Sequence, residues 1–341
     1  VLHAMTACAT DGLGISGQDT VLPVVPMFHV NAWGIPYACA LSGAKLVFPG
    51  AGMDGASVFE LLENEGVTFT AGVPTVWLLL LGYISENNKK LPDLERVIVG
   101  GAAVPQSMIE AFENDIDCRC IHAWGMTEMS PLGTLAHMKN NMKDMTPEDQ
   151  MAYKVKQGRP IYGVDMKIVD DNDAELRHDG KAFGELLVRG PWVTNGYYED
   201  EETSADSFDA DGWFRTGDVS TIDERGFMQI VDRAKDVIKS GGEWISTIEL
   251  ENIAVGHPDI AEAGVIGVAH PKWDERPLLI CVKSDGGAVT EAEMLEMYKG
   301  KVADWWIPNQ VVFIDELPHT ATGKIRKTEL RKIFADHKLP A

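Results

Sequence analysis

Length, composition and charge limit the classes of protein to which the chain can belong. With 341 residues it is too long for one ordinary hydrophobic core and long enough for two or three domains. Its formal net charge of −22 argues against nucleic-acid or anionic-membrane partners, and no apolar run approaches the ~20 residues of a membrane span.

The first part of the chain predicts a parallel sheet covered by helices on both faces. Apolar strand-like runs alternate with helical patterns from residue 20 to about residue 130, which is typical of α/β architecture. The predicted strands are TVLPVVP, GAKLVFPG, VTFTAG, ERVIVGG and CRCIHAWG, and the predicted helices are NAWGIPYACAL, GASVFELLENEG, PTVWLLLLGYISENN and VPQSMIEAFEN. Ligands of such sheets bind at the carboxyl ends of the strands.

The pattern changes twice further along. Residues 158–232 contain the strand-like runs DMKIVDD, GELLVRG and RGFMQIVDR without a helical period, which predicts a small antiparallel, barrel-like subdomain. After residue 234 the chain mixes strands with amphipathic helices, including EAEMLEMYKGKVADWW, and we expect a smaller α+β domain of about 100 residues. The predicted boundary therefore separates residues 1–234 from residues 235–341.

The five cysteines indicate the cellular compartment. They are scattered, and only Cys118 and Cys120 are close in sequence. This spacing fits neither a disulfide scaffold nor a zinc site and favours a reducing cytoplasm. We interpret the close pair as strand packing. The first residues, VLHAMTACAT, do not have the features of a secretory signal.

Two short motifs carry candidate polar chemistry. In WGMTE, Thr127 and Glu128 follow a strand, and a lone carboxylate suits Mg²⁺, which keeps its other positions for water and phosphate. The alternative is that Thr127 caps a helix. In DGWFRTGD, Asp218 could accept two ribose hydroxyls, or it is an ordinary loop aspartate.

The order of the motifs is more specific than any one of them. The series is PMFHVNAWG, GGAAV, WGMTE, GELLVRGPWVTNGYY, DGWFRTGD, DRAKDVIKSGGEWIS and PHTATGKIRK. It resembles the acyl- and aryl-CoA synthetases of the adenylate-forming, AMP-binding superfamily. The segments GGEWIS and HPKWDERPL are most similar to medium- and long-chain fatty acyl-CoA synthetases and 3-methylmercaptopropionate-CoA ligases.

The resemblance implies an ATP-dependent acid–CoA ligase with ATP, Mg²⁺ and CoA as cofactors and a small carboxylic acid as substrate. The first step would give acyl-adenylate and pyrophosphate, and the second would give acyl-CoA and AMP. Residues 235–341 would be a mobile lid that takes one position for the first step and another position for the second. A carrier-loading adenylation module and a non-catalytic nucleotide- or acyl-CoA-binding remnant stay open as alternatives. We consider a homodimer as the oligomeric state of the protein.

The resemblance also implies roles for individual residues. Lys324, Thr127 and Glu128 would be catalytic, with Mg²⁺ on Glu128 and the Lys235 backbone as the hinge. The expected ATP- and AMP-binding residues are Gly101, Ala102, Ala103, Trp124, Gly125, Met126, Thr127, Asp218, Ile230, Arg233 and Lys324. The expected acyl and CoA pocket consists of His29, Val30, Trp33, Gly101, Gly125, Lys239, Gly241, Gly242, Glu243 and Trp244.

Simpler roles compete with some of these. Lys324 could be a surface lysine, His29 a hydrogen-bonded core residue, and Trp33 and Trp244 core-filling aromatics. The family's Ser/Thr/Gly-rich phosphate loop, which ends in Pro-Lys-Gly, is not found before PMFHV. We therefore expect the chain to be the C-terminal portion of a longer enzyme, in which residues 1–234 are the C-terminal part of the large adenylation domain.

Overall fold

The structure is a computed structural model that describes residues 1–241, 243–284, 286–319 and 325–339. Its contacts divide into two compact units. The first unit contains Val1–Thr216 and Thr221–Ile230, and the second contains Gly217–Ser220 and the chain from Val231 onward. The functional boundary between residues 234 and 235 stays a prediction.

A seven-stranded sheet organises the first unit, in the order β2-β1-β3-β4-β5-β6-β7. The five strands from β2 to β5 are parallel, which confirms the predicted sheet, whereas β6 and β7 add an antiparallel edge that was not predicted. The strands are β1 (Thr20–Pro23), β2 (Lys45–Leu46), β3 (Phe69–Gly72), β4 (Arg96–Val99), β5 (Arg119–Gly125), β6 (Leu132–Leu135) and β7 (Arg159–Pro160).

Helices and hydrophobic clusters cover both faces of this sheet. Val21 and Ile98 belong to one cluster, and their neighbours Leu22 and Val97 belong to the other, as alternation along buried strands requires. A π-helical stretch, Ala111–Asp115, follows one of the helices. The α-helices of the unit are Leu2–Cys8, Ile35–Ser42, Gly55–Glu65, Pro74–Glu86, Gln106–Glu110, Pro147–Lys154 and Glu201–Asp206.

The segment Val30–Trp33 corrects one predicted helix. Val30, Asn31, Ala32 and Trp33 have φ values of 42°, 49°, 50° and 57°, and Gly34 follows at 75°. They form a left-handed turn, so the right-handed helix predicted for NAWGIPYACAL begins only at Ile35, with a proline in its first turn.

A four-stranded sheet in the order β11-β10-β9-β8 follows. Its strands are β8 (Asp165–Val169), β9 (Phe183–Arg189), β10 (Phe214–Ile222) and β11 (Met228–Arg233). β8 and β9 are antiparallel, as predicted. The prediction missed β10 because DGWFRTGD, which contains two glycines, was interpreted as a turn that leads into Asp218. In the structure Gly217 lies within the strand, at φ 68°. The expectation of no helix in this section was also wrong, since Asp200 caps the short helix Glu201–Asp206.

The second unit contains a five-stranded sheet in the order β13-β12-β15-β14, with β16 paired to β15. The strands are β12 (Ile238–Ser240), β13 (Glu243–Ile245), β14 (Ile260–His270), β15 (Asp274–Lys283) and β16 (Gln310–Phe313), and the helices are Thr247–Val255, Glu291–Glu296 and Lys327–Ile333. A mixed α+β unit is confirmed.

The helix predicted through EAEMLEMYKGKVADWW was too long. It ends at Glu296, and Gly300 adopts φ 73°, a left-handed conformation that an α-helix cannot continue through. A 3₁₀ turn, Asp304–Trp306, follows separately.

Within the described residues, no helix is both long enough and apolar enough to span a membrane. The five cysteines all lie in the described part of the chain and are free. Cys118 and Cys120 are buried beside and within β5, as strand packing predicts.

Candidate active site

An apolar pocket lies at the carboxyl ends of β3, β4 and β5. The space between its walls, part of which is open to solvent, is about 460 Å³. Trp33, Gly101, Trp124 and Gly125, all predicted site residues, are among its walls. The full lining is Leu13, Trp33, Ile35, Ala71, Ile98, Gly100, Gly101, Ala123, Trp124, Gly125, Pro131 and Leu132. None of these described lining residues carries a charge, so the pocket suits an apolar ligand.

At two glycines of the pocket, another part of the chain comes so close that a side chain would have no room. A Cβ on Gly100 would lie 3.0 Å from the Ala123 carbonyl oxygen and 3.2 Å from Cη2 of Trp33. A Cβ on Gly125 would collide with the Pro131 carbonyl oxygen. The glycines therefore let backbone form part of the wall.

Ala102 and Ala103 are exposed in the loop that follows β4. The buried side chain of His122 in β5 supports this loop: its Nδ1 lies 2.9 Å from the Val155 carbonyl oxygen, and it is also hydrogen-bonded to the Ala102 backbone. Burial lowers the pKa of His122 to about 4, against the smaller opposing effect of these hydrogen bonds. The sequence analysis missed this histidine, although a polar residue within the apolar run CRCIHAWG was a signal.

The structure places Thr127 and Glu128 in a 3₁₀ turn, Thr127–Met129, directly after β5. Met126 occupies the N-cap position and no side chain caps the turn, so the alternative role of Thr127 as an N-cap was wrong. Thr127 is exposed and Glu128 is half-buried. Both are thus presented at the same strand end as the pocket.

A loop that the sequence analysis did not assign to the site holds Glu128. The Tyr197 hydroxyl donates to Glu128 Oε1 at 2.9 Å, and the Thr194 amide donates to the Glu128 carbonyl oxygen at 2.7 Å. Burial, together with the hydrogen bond to Glu128 and its charge, raises the pKa of Tyr197, so the hydroxyl stays a donor. The motif GELLVRGPWVTNGYY contained this tyrosine, but nothing local linked it to Glu128.

His29 and Val30 are not among the lining residues of the pocket. His29 is exposed, with its ring centroid 4.7 Å from that of Phe28, so its alternative role as a core residue was wrong. Val30 is half-buried at the start of the left-handed turn. Trp33, at the end of that turn, lines the pocket and also packs against the core cluster of the first unit.

The residues expected around the ribose fall in different units. Asp218 and Arg233 belong to the second unit and form an ion pair, with Asp218 Oδ1 2.9 Å from Arg233 Nε. The Asp218 side chain is 5% exposed and that of Arg233 is 50% exposed, so a buried carboxylate is paired with an accessible guanidinium. Ile230 belongs to the first unit, where its amide donates to Gln157 Oε1 at 2.7 Å.

The glycine-containing hairpin of the second unit joins β12 to β13. Lys239 pairs with Trp244 across it, and the Lys239 Nζ lies 5.0 Å from the indole centroid. Gly241, at φ 61°, donates its amide to the Trp273 carbonyl oxygen. Glu243 is exposed and Trp244 is half-buried. Gly242 and Lys324 lie outside the described residues, so their roles stay predictions.

Asp232, three positions before Lys235, is held by several hydrogen bonds. The buried Asp232 carboxylate accepts from the Thr247 amide and hydroxyl and from the Arg233 amide, at 2.5 Å, 2.6 Å and 2.7 Å. Burial raises the pKa of Asp232, and the charge of Lys327 and these hydrogen bonds oppose that rise. Lys235 itself is exposed.

Comparison with known sequences identifies the family. The profile described as AMP-binding enzyme matches residues 1–198, and the profile described as AMP-binding enzyme C-terminal domain matches residues 249–324. The chain is 52% identical to 3-methylmercaptopropionyl-CoA ligase from Ruegeria lacuscaerulensis, over 98% of this chain and 62% of that protein. It is 52% identical to medium-chain-fatty-acid–CoA ligase from Ectopseudomonas oleovorans, over 98% of this chain and 61% of that protein.

Solved structures agree with these sequence matches. The o-succinylbenzoate CoA synthetase of Bacillus subtilis in complex with its acyl-adenylate intermediate is 27% identical, with a TM-score of 0.82 over 97% of this chain and 64% of that one. ATP-bound MatB from Rhodopseudomonas palustris is 25% identical, with a TM-score of 0.81 over 98% and 63%. The chain thus spans less than two thirds of the length of these relatives. On the family profiles, and on near-complete alignment of its own residues, the chain belongs to the AMP-binding enzyme family.

Proposed function

We propose that the protein containing this chain is an ATP-dependent acid–CoA ligase. The observation that carries the proposal is the apolar pocket at the carboxyl ends of β3–β5, with Thr127 and Glu128 presented beside it. The carboxyl ends of these strands thus offer an apolar cavity for an acid and polar groups for a nucleotide. The acid and ATP would give acyl-adenylate and pyrophosphate, and CoA would then accept the acyl group with release of AMP.

The residues of the first unit fit a magnesium ion that arrives with the nucleotide. Glu128 supplies one carboxylate, and no group of three or more potential protein ligands occurs among the described residues. Mg²⁺ commonly takes one or two protein carboxylates and completes its shell with water and phosphate oxygens. When bound, the ion would neutralise phosphate charge. Glu128 would hold it, oriented by Tyr197, and the Thr127 hydroxyl would donate to a phosphate oxygen.

Two positive groups of the second unit are assigned to the nucleotide and the reacting carboxylate. Arg233, with Asp218, would bind the ribose. Lys324 would bridge the carboxylate and the α-phosphate, because the attack of one anion on another needs fixed positive charge in the transition state. For the second step, we assign the hairpin that contains Lys239 and Trp244 to the acyl and CoA channel, with His29 as a gate.

The proposed acid is a fatty acid or a short thioether acid such as 3-methylmercaptopropionate. The uncharged lining of the pocket supports this choice, because a buried second carboxylate would lack a cation. The names of the two relatives at 52% identity support it as well. A cytoplasmic location and a homodimer are parts of the same proposal that rest on composition and resemblance.

The test measures both products with a panel of acids. We expect pyrophosphate and AMP to form with apolar acids, and acyl-CoA to appear only when CoA is present. Adenylate formation without transfer to CoA would favour a carrier-loading module. Binding of nucleotide without pyrophosphate release from any acid would favour a non-catalytic remnant.

A further inference from the structure

The peptide that follows Lys235 is held by one arginine. Arg331 Nη2 donates to the Lys235 carbonyl oxygen at 3.0 Å and to Asp236 Oδ1 at 2.8 Å. The Asp236 side chain is 11% exposed and that of Arg331 is 31% exposed, so water screens this pair only in part. The amides of Asp236 and Val237 both donate to the Arg233 carbonyl oxygen at 2.8 Å, which closes a tight turn around Lys235.

The residues that precede Lys235 are tied to the same helix. Lys327 Nζ lies 2.7 Å from Glu251 Oε1 and donates to the Thr247 hydroxyl, which in turn donates to Asp232. The side chains of Lys327 and Glu251 are 11% and 16% exposed. Lys327 and Arg331 are four residues apart in the helix Lys327–Ile333, so they project from one face.

These contacts bracket one residue. The Lys235 carbonyl oxygen turns with ψ of Lys235, so Arg331 fixes the orientation of that peptide relative to the helix. Asp232, on the other side, is fixed through Thr247 and Lys327. The dihedral angles of Lys235 are therefore set from both sides by two cations of a single helix, and a change in those angles must break or strain at least one of these contacts.

We propose that Arg331 is a positioning residue for the hinge at Lys235. It sets the balance between the two arrangements that the successive half-reactions require. The inference rests on the proposed function, because it assumes that rotation at Lys235 separates adenylation from transfer to CoA. Arg331 acts through the Lys235 peptide.

The experiment compares Arg331→Ala, Arg331→Lys and Lys332→Ala in the protein that contains this chain. Lys332 is the matched control, since it is in the same helix, carries the same charge, and is 75% exposed with a 3.4 Å pairing to Glu329. Amide hydrogen exchange at Asp236 and Val237 is measured first. We expect exchange at least tenfold faster in Arg331→Ala and unchanged in Lys332→Ala, because only the former loosens the turn.

The two half-reactions are then measured separately, as pyrophosphate release and as acyl-CoA formation from supplied acyl-adenylate. We expect Arg331→Ala to change the ratio of the two rates at least fivefold, and Arg331→Lys, which keeps a donor near Asp236, to recover at least half of that change. A purely structural role would lower both rates by the same factor. Equal losses, or exchange rates like those of Lys332→Ala, would overturn the inference.

Failure of the inference and failure of the function can be told apart. A wild-type protein that releases no pyrophosphate with any acid refutes the proposed function, and with it the role of Arg331. An active wild type, with Arg331→Ala indistinguishable from Lys332→Ala, refutes only the positioning role.

Discussion

The Tyr197 hydroxyl donates to Glu128 Oε1 at 2.9 Å, although the two residues are 69 positions apart. The carboxylate that we assign to magnesium is therefore oriented by a loop between β9 and β10. A phenol with a raised pKa keeps its proton at neutral pH and leaves the other lone pairs of the carboxylate for a cation.

Tyr197→Phe should weaken the response to magnesium. Loss of one hydrogen bond to a charged group costs about 1.5 kcal/mol, so we expect roughly a tenfold higher Mg²⁺ concentration for half-maximal pyrophosphate release. Tyr198→Phe is the control, because Tyr198 is 91% exposed. Identical magnesium titrations for the two variants would remove Tyr197 from the site.

Lys324→Ala should separate the half-reactions. Lys324 is assigned only to the step in which two anions meet, and loss of one such transition-state contact costs about a hundredfold to a thousandfold in rate. We expect that loss in pyrophosphate release, with thioester formation from supplied acyl-adenylate nearly intact. Lys338→Ala, a change at an exposed lysine of the same tail, is the comparison. Equal loss in both steps would show that Lys324 has a general role.

Lys235→Pro should stop the hinge. Proline locks φ near −65° and restricts the preceding Ala234, so only one arrangement remains accessible. We expect adenylation to keep a substantial fraction of its rate and transfer to CoA to collapse, whereas Lys235→Ala should affect both steps mildly. Pyrophosphate and acyl-CoA are measured for each variant. Normal thioester formation by a folded Lys235→Pro protein would place the hinge elsewhere.

Gly100→Ala should shorten the range of acids accepted. The new methyl group would press on the Trp33 ring and on the Ala123 carbonyl oxygen, and thus narrow the pocket. We expect activity with the longest accepted acid to fall about tenfold relative to the shortest, measured as kcat/KM across the panel, since one methyl-sized change is worth about 1–3 kcal/mol in an apolar pocket. Gly82→Ala is the control, because a Cβ there meets nothing within 4 Å. An unchanged chain-length profile would argue against this wall as part of the acyl pocket.

His122 should make stability depend on pH. Its folded pKa of about 4 lies below the ordinary value of 6.5, so the unfolded chain binds more protons between these values. Stability is then fully present above pH 6.5 and is lost as pH falls toward 4, by about 3 kcal/mol. Urea unfolding of wild type and His122→Gln from pH 4 to pH 7 measures this, with the exposed His29→Gln as the control. The pH slope should flatten only in His122→Gln.

The sequence predicted what depends on local pattern and on motif order. The parallel strands β1–β5 are short apolar runs bounded by turn residues, and their periodicity is readable residue by residue. Strand β10 was missed because Gly217 has the appearance of a turn residue. The hydrogen bond of Tyr197 to Glu128 joins residues that are far apart in sequence and has no local signature. His122 had a local signal, a polar residue in an apolar strand, but its partners at Ala102 and Val155 could not be read from that strand.

The left-handed turn Val30–Gly34 has a consequence for how the pocket could evolve. Four consecutive non-glycine residues with positive φ cost about 1–2 kcal/mol each, and a β-branched residue such as Val30 is the least suited to that region. Glycine at any of these positions would relieve the local cost, yet the chain carries valine, asparagine, alanine and tryptophan there. The packing of the surrounding residues must offset this cost, so the position of Trp33 in the pocket wall depends on many contacts outside the turn. Under the proposed function, a change in the preferred acid would therefore arise more readily from altering residues around Trp33 than from moving Trp33 itself.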